Sequence, residues 1–233
     1  MRAIAISDAK ANRLYWLGRY AERAYLSLHL LRRYFDLTLD GNPVDYKSYA
    51  KNLVPTVEGP LSFEEFAKTY IFSKDNPSSI ISSLTGANDN AILLREVIKS
   101  ESLSYIQMSI CLLERLESKI SEVTVNDLQK VTDYLLAFYG SLEERLFNDK
   151  EIAFVRYGRL IESLDMHMRF NYEFVVIRDV FDSLIRWMDI EKSVFNKVEL
   201  QNFDAMLVEK KYELNDESYK VQLLGMVNKI VNL

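Results

Sequence analysis

Leu14-Tyr15-Trp16-Leu17-Gly18-Arg19-Tyr20-Ala21-Glu22-Arg23-Ala24 decides the fold, because its pattern occurs again 140 residues later. Gly18-Arg19-x-x-Glu22 returns as Gly158-Arg159-x-x-Glu162. The apolar positions around it return too. Leu14, Leu17, Ala21, Ala24, Leu28, Leu31 and Phe35 are spaced alternately by three and four. The same offset gives Phe154, Tyr157, Ile161, Leu164, Met168, Asn171 and Val175, apolar at six of seven places. Such spacing forms the stripe that one helix packs on another. The chain therefore reads as two related helices, near residues 8–37 and 150–190, within one all-α multi-helix bundle.

The rest of the chain agrees with this reading. All four prolines lie at or before Pro77, so the following 156 residues permit long helices. Ser7 or Asp8 is placed to cap the first helix, and Asp40-Gly41-Asn42-Pro43 to end it. Residues 41–77 read as short helices and loops, with a capping box at Ser62 and Glu65. Asn76 is the expected cap of the next helix, with Pro77 as its first residue. Gly86 is expected to bend or end that helix, and another should span roughly 88–121. Residues 125–147 give one more helix, and the tail two shorter ones near 199–211 and 217–231. No stretch alternates as a strand does. No linker separates domains, so residues 1–233 are expected to form one.

Composition narrows the function. A net charge of −5 disfavours non-specific nucleic-acid binding. The first 35 residues carry a local +5, leaving −10 for the remainder. This basic helix either meets an acidic partner or phosphate, or is a solvated face, the more ordinary outcome. Cys111 is the only cysteine. It rules out an intrachain disulfide, fits a reducing compartment, and in its apolar context reads as a buried, inert thiol. No stretch suits a signal peptide or a membrane span. A cytoplasmic protein without membrane contact is expected.

The motifs of several chemistries are missing. Two histidines, His29 and His167, and no Glu-x-x-His leave nothing for a zinc or di-iron site. The phosphate loop, the dinucleotide fingerprint and the nucleophile elbow are absent as well. Neither a metal nor a cofactor is expected.

The repeated triplet has two readings. Arg and Glu three apart are neighbours on a helix face. Arg19 and Glu22 project opposite the apolar seam, alongside Tyr15, Leu26, His29 and Arg33. In one reading the glycines permit close helix approach and the Arg–Glu pairs orient it. A helical glycine costs about 1 kcal/mol against alanine, so two at matched places suggest a packing need. In the other, both pairs converge in a cleft and bind a carboxylate, amide or phosphate, which suit the arginine fork.

Three blocks resemble the alpha-E family of bacterial all-helical proteins with a recurring Glu-Arg motif. They are Asn12–Ala24; Asn76–Ile80 through Ala87–Ala91 to Arg95-Glu96 and Glu101; and Phe154–Asp165. Departures exist: Glu162 is followed by Ser163 where the family commonly has arginine, Asn88 stands for an arginine, and Leu103 lies near the place of a tryptophan. The resemblance implies association with circularly permuted ATP-grasp proteins and transglutaminase-like proteins, hence a role in peptide ligation or modification. The candidate binding residues are Arg19, Glu22, Arg23, Arg95, Glu96, Arg159, Glu162 and Asp165. The chain is expected to be an accessory protein presenting a helical surface to an ATP-grasp-type ligase or its peptide. The alternative is an enzyme on peptide or amide bonds, with Glu22 or Glu162 as acid–base and arginines as carboxylate clamps.

Overall fold

The computed structural model describes residues 6–39, 45–53 and 61–233, with the side chains of 37–39 outside the description. Its regular structure there is helical, and the sole β feature among described residues is an isolated bridge between Phe195 and Val231. The fold is thus all-α, as the periodicity requires. Two compact units divide the chain. One comprises Met1–Arg19 and Asn148–Leu233, the other Tyr20–Phe147. Helix α1, Asp8–Leu39, gives its first part to one unit and the rest to the other. The turn expected at 40–43 lies outside the described residues.

The first unit is built around α7, Asp149–Arg169. The Asn148 side chain accepts from the Lys150 amide, and Asp149 and Glu151 complement the positive helix start. The expected single helix over 150–190 is broken. Asn171 adopts a left-handed φ of 52° and Tyr172 N donates to His167 O at 3.0 Å, which ends α7. Helix α8, Phe174–Met188, follows and packs on α7. The duplicated stripe therefore stays buried from Phe154 to Met168, while Asn171 and Val175 are exposed. In the tail, α9 spans Lys197–Met206, α10 Glu209–Tyr212 and α11 Glu217–Val227. The stretch 199–211 is thus two helices, parted at Leu207. Phe181 meets Phe203 with ring centroids 5.1 Å apart, and Tyr157 meets Phe195 at 4.9 Å. The first pair joins α8 to α9, and the second ties α7 to the segment leading into α9.

The second unit holds the remainder of α1, α2 (Tyr46–Leu53), α3 (Phe63–Phe66), α4 (Ile80–Leu93), α5 (Arg95–Glu117) and α6 (Val125–Arg145). The Ser62–Glu65 capping box forms as read. Helix α4 starts later than expected. Ser79, not Asn76, caps it, since Ser79 Oγ accepts from Ser82 N at 3.1 Å. Asn76 caps the preceding turn instead, accepting from Ser78 N. Gly86 does not interrupt α4. A Cβ there would lie 3.0 Å from the Tyr20 ring, so this glycine makes room for an aromatic face. The helix breaks at Leu94, where α4 hands over to α5, and again at Lys99, where φ 65° and ψ 162° kink α5. Helices α5 and α6 run antiparallel, with Ser102 and Ser141 hydroxyls 2.7 Å apart and Arg145 3.9 Å from Glu101. Their facing side chains, including Ile106, Leu113, Val131 and Phe138, are buried. Cys111 faces outward on α5, so the sequence reading of a buried thiol is corrected to an exposed one. Its apolar neighbours Leu112 and Leu113 turn inward while position 111 does not.

Candidate functional site: the glycine crossing and its ion pairs

The two glycines of the repeated triplet meet the same backbone atoms on each other's helix. A Cβ on Gly18 would overlap the Val155 carbonyl oxygen and lie 3.2 Å from Arg159 N. A Cβ on Gly158 would overlap the Tyr15 carbonyl oxygen and lie 2.9 Å from Arg19 N. Val155 and Arg159 are Tyr15 and Arg19 displaced by 140. The crossing of α1 and α7 is therefore a local pseudo-two-fold contact, backbone on backbone, that no side chain larger than hydrogen fits. This is why glycine stands in two helix interiors despite its propensity cost.

Arginine and glutamate lock the crossing from the side. Arg19 Nε donates to Glu162 Oε2 at 2.8 Å, and Arg19 Nη1 donates to Asn228 Oδ1 at 2.9 Å. The guanidinium carbon lies 5.2 Å from the Trp16 ring centroid and 5.9 Å from that of Tyr15. Arg19 is 6% exposed and Glu162 fully buried. One turn along α7, Arg169 grips Asp165 with both fork nitrogens, at 2.6 and 3.3 Å. The buried Arg19–Glu162 pair and the half-buried Arg169 with its buried partner Asp165 act on one another electrostatically along α7. Burial disfavours the Arg19 cation, but Glu162 and Tyr15 outweigh this and raise its pKa. Burial pushes the Tyr15 phenol up, with Arg19 partly opposing it. Arg169 is also raised, because Asp165 overcomes its desolvation. Removing one partner of such a pair typically costs about 3–5 kcal/mol, since the other charge is left buried alone.

In the second unit, Glu22 is buried and accepts from the Tyr139 hydroxyl of α6 at 2.9 Å. The face of α1 opposite the seam is therefore not solvated at Tyr15, Arg19, Glu22 or Leu26, all at most 6% exposed. His29 and Arg33, further along, are exposed.

The eight candidate residues separate by environment. Arg19, Glu22, Glu162 and Asp165 are buried, Arg23 and Arg159 half-buried, and Arg95 and Glu96 exposed at the start of α5. The structure joins Arg19 directly to Glu162, and Asp165 to Arg169. It sets Arg95 and Glu96 on a surface of the other unit. Sequence reasoning missed Arg169, Asn228 and Tyr139. Arg169 had a signal, because it stands four residues after Asp165. The other two bond across long sequence distances and had none. As a chemical device, the buried network orients helices. Glu162 presents no exposed surface to a substrate. Among the described residues, no three His, Cys, Asp or Glu side chains group as a metal would require, and no helix is long and apolar enough to cross a membrane.

An all-α bundle whose duplicated helices cross at paired glycines and are clamped by arginine and glutamate defines a helical motif protein. The model of the alpha-E family, described as a predicted alpha-helical domain with a conserved ER motif, matches residues 9–195. The chain belongs to the alpha-E family. Within the matched residues Glu-Arg stands at Glu22-Arg23, Glu114-Arg115 and Glu144-Arg145. No curated protein and no solved structure matches the chain.

Proposed function

We propose that this protein is a cytoplasmic accessory protein of a peptide-ligation or peptide-modification system. It presents a helical surface to an ATP-grasp-type ligase or a transglutaminase-like protein, or to the peptide on which these act. The observation carrying this reading is the division among the candidate residues. Arg19 and Glu162 pair across the crossing and Asp165 is buried against Arg169 on α7, which leaves Arg95 and Glu96 as the exposed pair. Beside them Ile92 and Leu93 are 46% and 61% exposed. Apolar side chains bordered by opposite charges make a corner suited to protein contact. Lys99, in the same turn region of α5, has φ 65° and ψ 162°, a conformation costing about 1–3 kcal/mol outside glycine. Strain of this kind accompanies functional surfaces.

Affinity capture with an ATP-grasp-type ligase tests the proposal. A Leu93→Ser, Arg95→Ala, Glu96→Ala variant should lose capture, while Lys119→Ala, elsewhere on the exposed surface, should keep it. Undiminished capture by the triple variant would remove the corner from the interface.

A further inference from the structure

We propose that a groove in the first unit, walled by Lys220 and Tyr212, binds the carboxylate of a basic amino acid, free or at a peptide C-terminus. The groove is open to solvent and offers about 570 Å³ beside the start of α8 and along α10 and α11. That size suits a small ligand. It is separate from the glycine crossing and does not depend on the ligase-docking reading.

Lys220 is 4% exposed. Its ammonium donates to Asn171 Oδ1 and to Asn215 Oδ1, and lies 5.8 Å from the Tyr212 ring centroid. Both asparagines end helical turns in left-handed conformations, φ 52° and 57°, from which their amide oxygens converge on one nitrogen. Neither is an anion. Among the described residues no carboxylate lies within 4.0 Å of Lys220. A buried ammonium whose hydrogen bonds go only to neutral amides, with Glu217 as an opposite charge acting from beyond contact, is costly unless a counter-ion completes it. Burial accordingly pulls the Lys220 pKa down.

Tyr212 supplies an independent sign. It is 6% exposed, and its hydroxyl is buried without a hydrogen-bond partner. An unsatisfied hydroxyl of this kind costs about 1–3 kcal/mol, which phenylalanine would avoid. One carboxylate accepting from Lys220 Nζ and Tyr212 Oη would satisfy both groups. The rim selects among carboxylates. Glu173, Glu209 and Glu213 line the groove and are exposed. They repel a simple anion and favour one that carries its own cation a few bonds away. A basic amino acid meets both demands.

Nuclear magnetic resonance titration of the full chain is the test, following the side-chain amides of Asn171 and Asn215. L-arginine should produce saturable shifts. L-argininamide, which lacks the carboxylate, and acetate, which lacks the cation, should bind at least about tenfold more weakly, the worth of one charge-assisted hydrogen bond. Glycyl-L-arginine separates the two sources: binding equal to arginine means a peptide C-terminus is accepted, and weaker binding means the free amino acid is preferred. Tyr212→Phe should keep the fold, shown by unchanged circular dichroism, yet weaken arginine binding about fivefold or more. No saturable shift with arginine would overturn the proposal. So would argininamide binding as well as arginine, or a Tyr212→Phe variant that binds unchanged.

Discussion

Replacing Gly158 with alanine adds one methyl group where the Tyr15 carbonyl oxygen already stands, with Arg19 N 2.9 Å away. Both obstacles are backbone atoms, so no rotamer change relieves them. Either α1 and α7 separate or one helix bends. Overpacking a filled contact costs about 1–3 kcal/mol, and a rigid obstacle places this site at the upper end. Alanine returns about 1 kcal/mol of helix propensity. The net loss is about 2 kcal/mol, and Gly18→Ala should lose a similar amount for the mirrored reason. The molecule supplies its own control. Gly140 in α6 and Gly225 in α11 have nothing within 4 Å of an added Cβ. Alanine at either should gain up to about 1 kcal/mol. Urea unfolding of the four single variants, followed by circular dichroism, reads these signs directly. The Gly18→Ala, Gly158→Ala double variant should lose less than the sum, because one displacement accommodates both methyl groups. If Gly158→Ala and Gly140→Ala both stabilise, the close crossing is refuted.

Lys99→Gly should stabilise by about 1 kcal/mol, because glycine tolerates φ 65° and ψ 162° at the kink near the start of α5; a lower urea midpoint would contradict this. Stability should also fall in alkali. Burial holds the phenols of Tyr157 and Tyr212 up to about 12, against 10 in the unfolded chain. Above pH 10 the unfolded state sheds these protons first, so their contribution is intact below pH 10 and lost as pH rises towards 12. Tyr212→Phe should flatten part of that decline while leaving neutral-pH stability equal or higher, measured as thermal midpoints across the range. A decline of the same steepness in the variant would exclude Tyr212 as a source.

The duplication was the most legible feature of the sequence, and its physical meaning was half legible. Three-and-four spacing fixes helices because a buried stripe needs it, so α1 was expected at 8–37 and runs Asp8–Leu39. Breaks made without proline or glycine were not visible. Asn171 turns the chain between α7 and α8 by taking a left-handed conformation that asparagine tolerates but does not announce. Leu94 parts α4 from α5 with no punctuation at all, while Gly86, the apparent stop, packs under Tyr20. The packing role of Gly18 and Gly158 followed from their cost in helices. The burial of Arg19 did not, because a charged residue opposite an apolar seam ordinarily meets water. Here both sides of α1 are covered around that residue, and Glu162, with Asn228 and the Trp16 and Tyr15 rings, makes an arginine acceptable there. Arg95 and Glu96 became candidates through family resemblance alone, and their exposure is a fact of the fold.

Charge and glycine act together at this crossing, so a double-mutant cycle joining Arg19→Met and Glu162→Gln probes it without touching the backbone. Each single change should cost several kcal/mol, and the pair should cost less than the sum by about 1–3 kcal/mol. Strictly additive losses would mean that the two side chains do not share a bond, and the account of the crossing would fall with it.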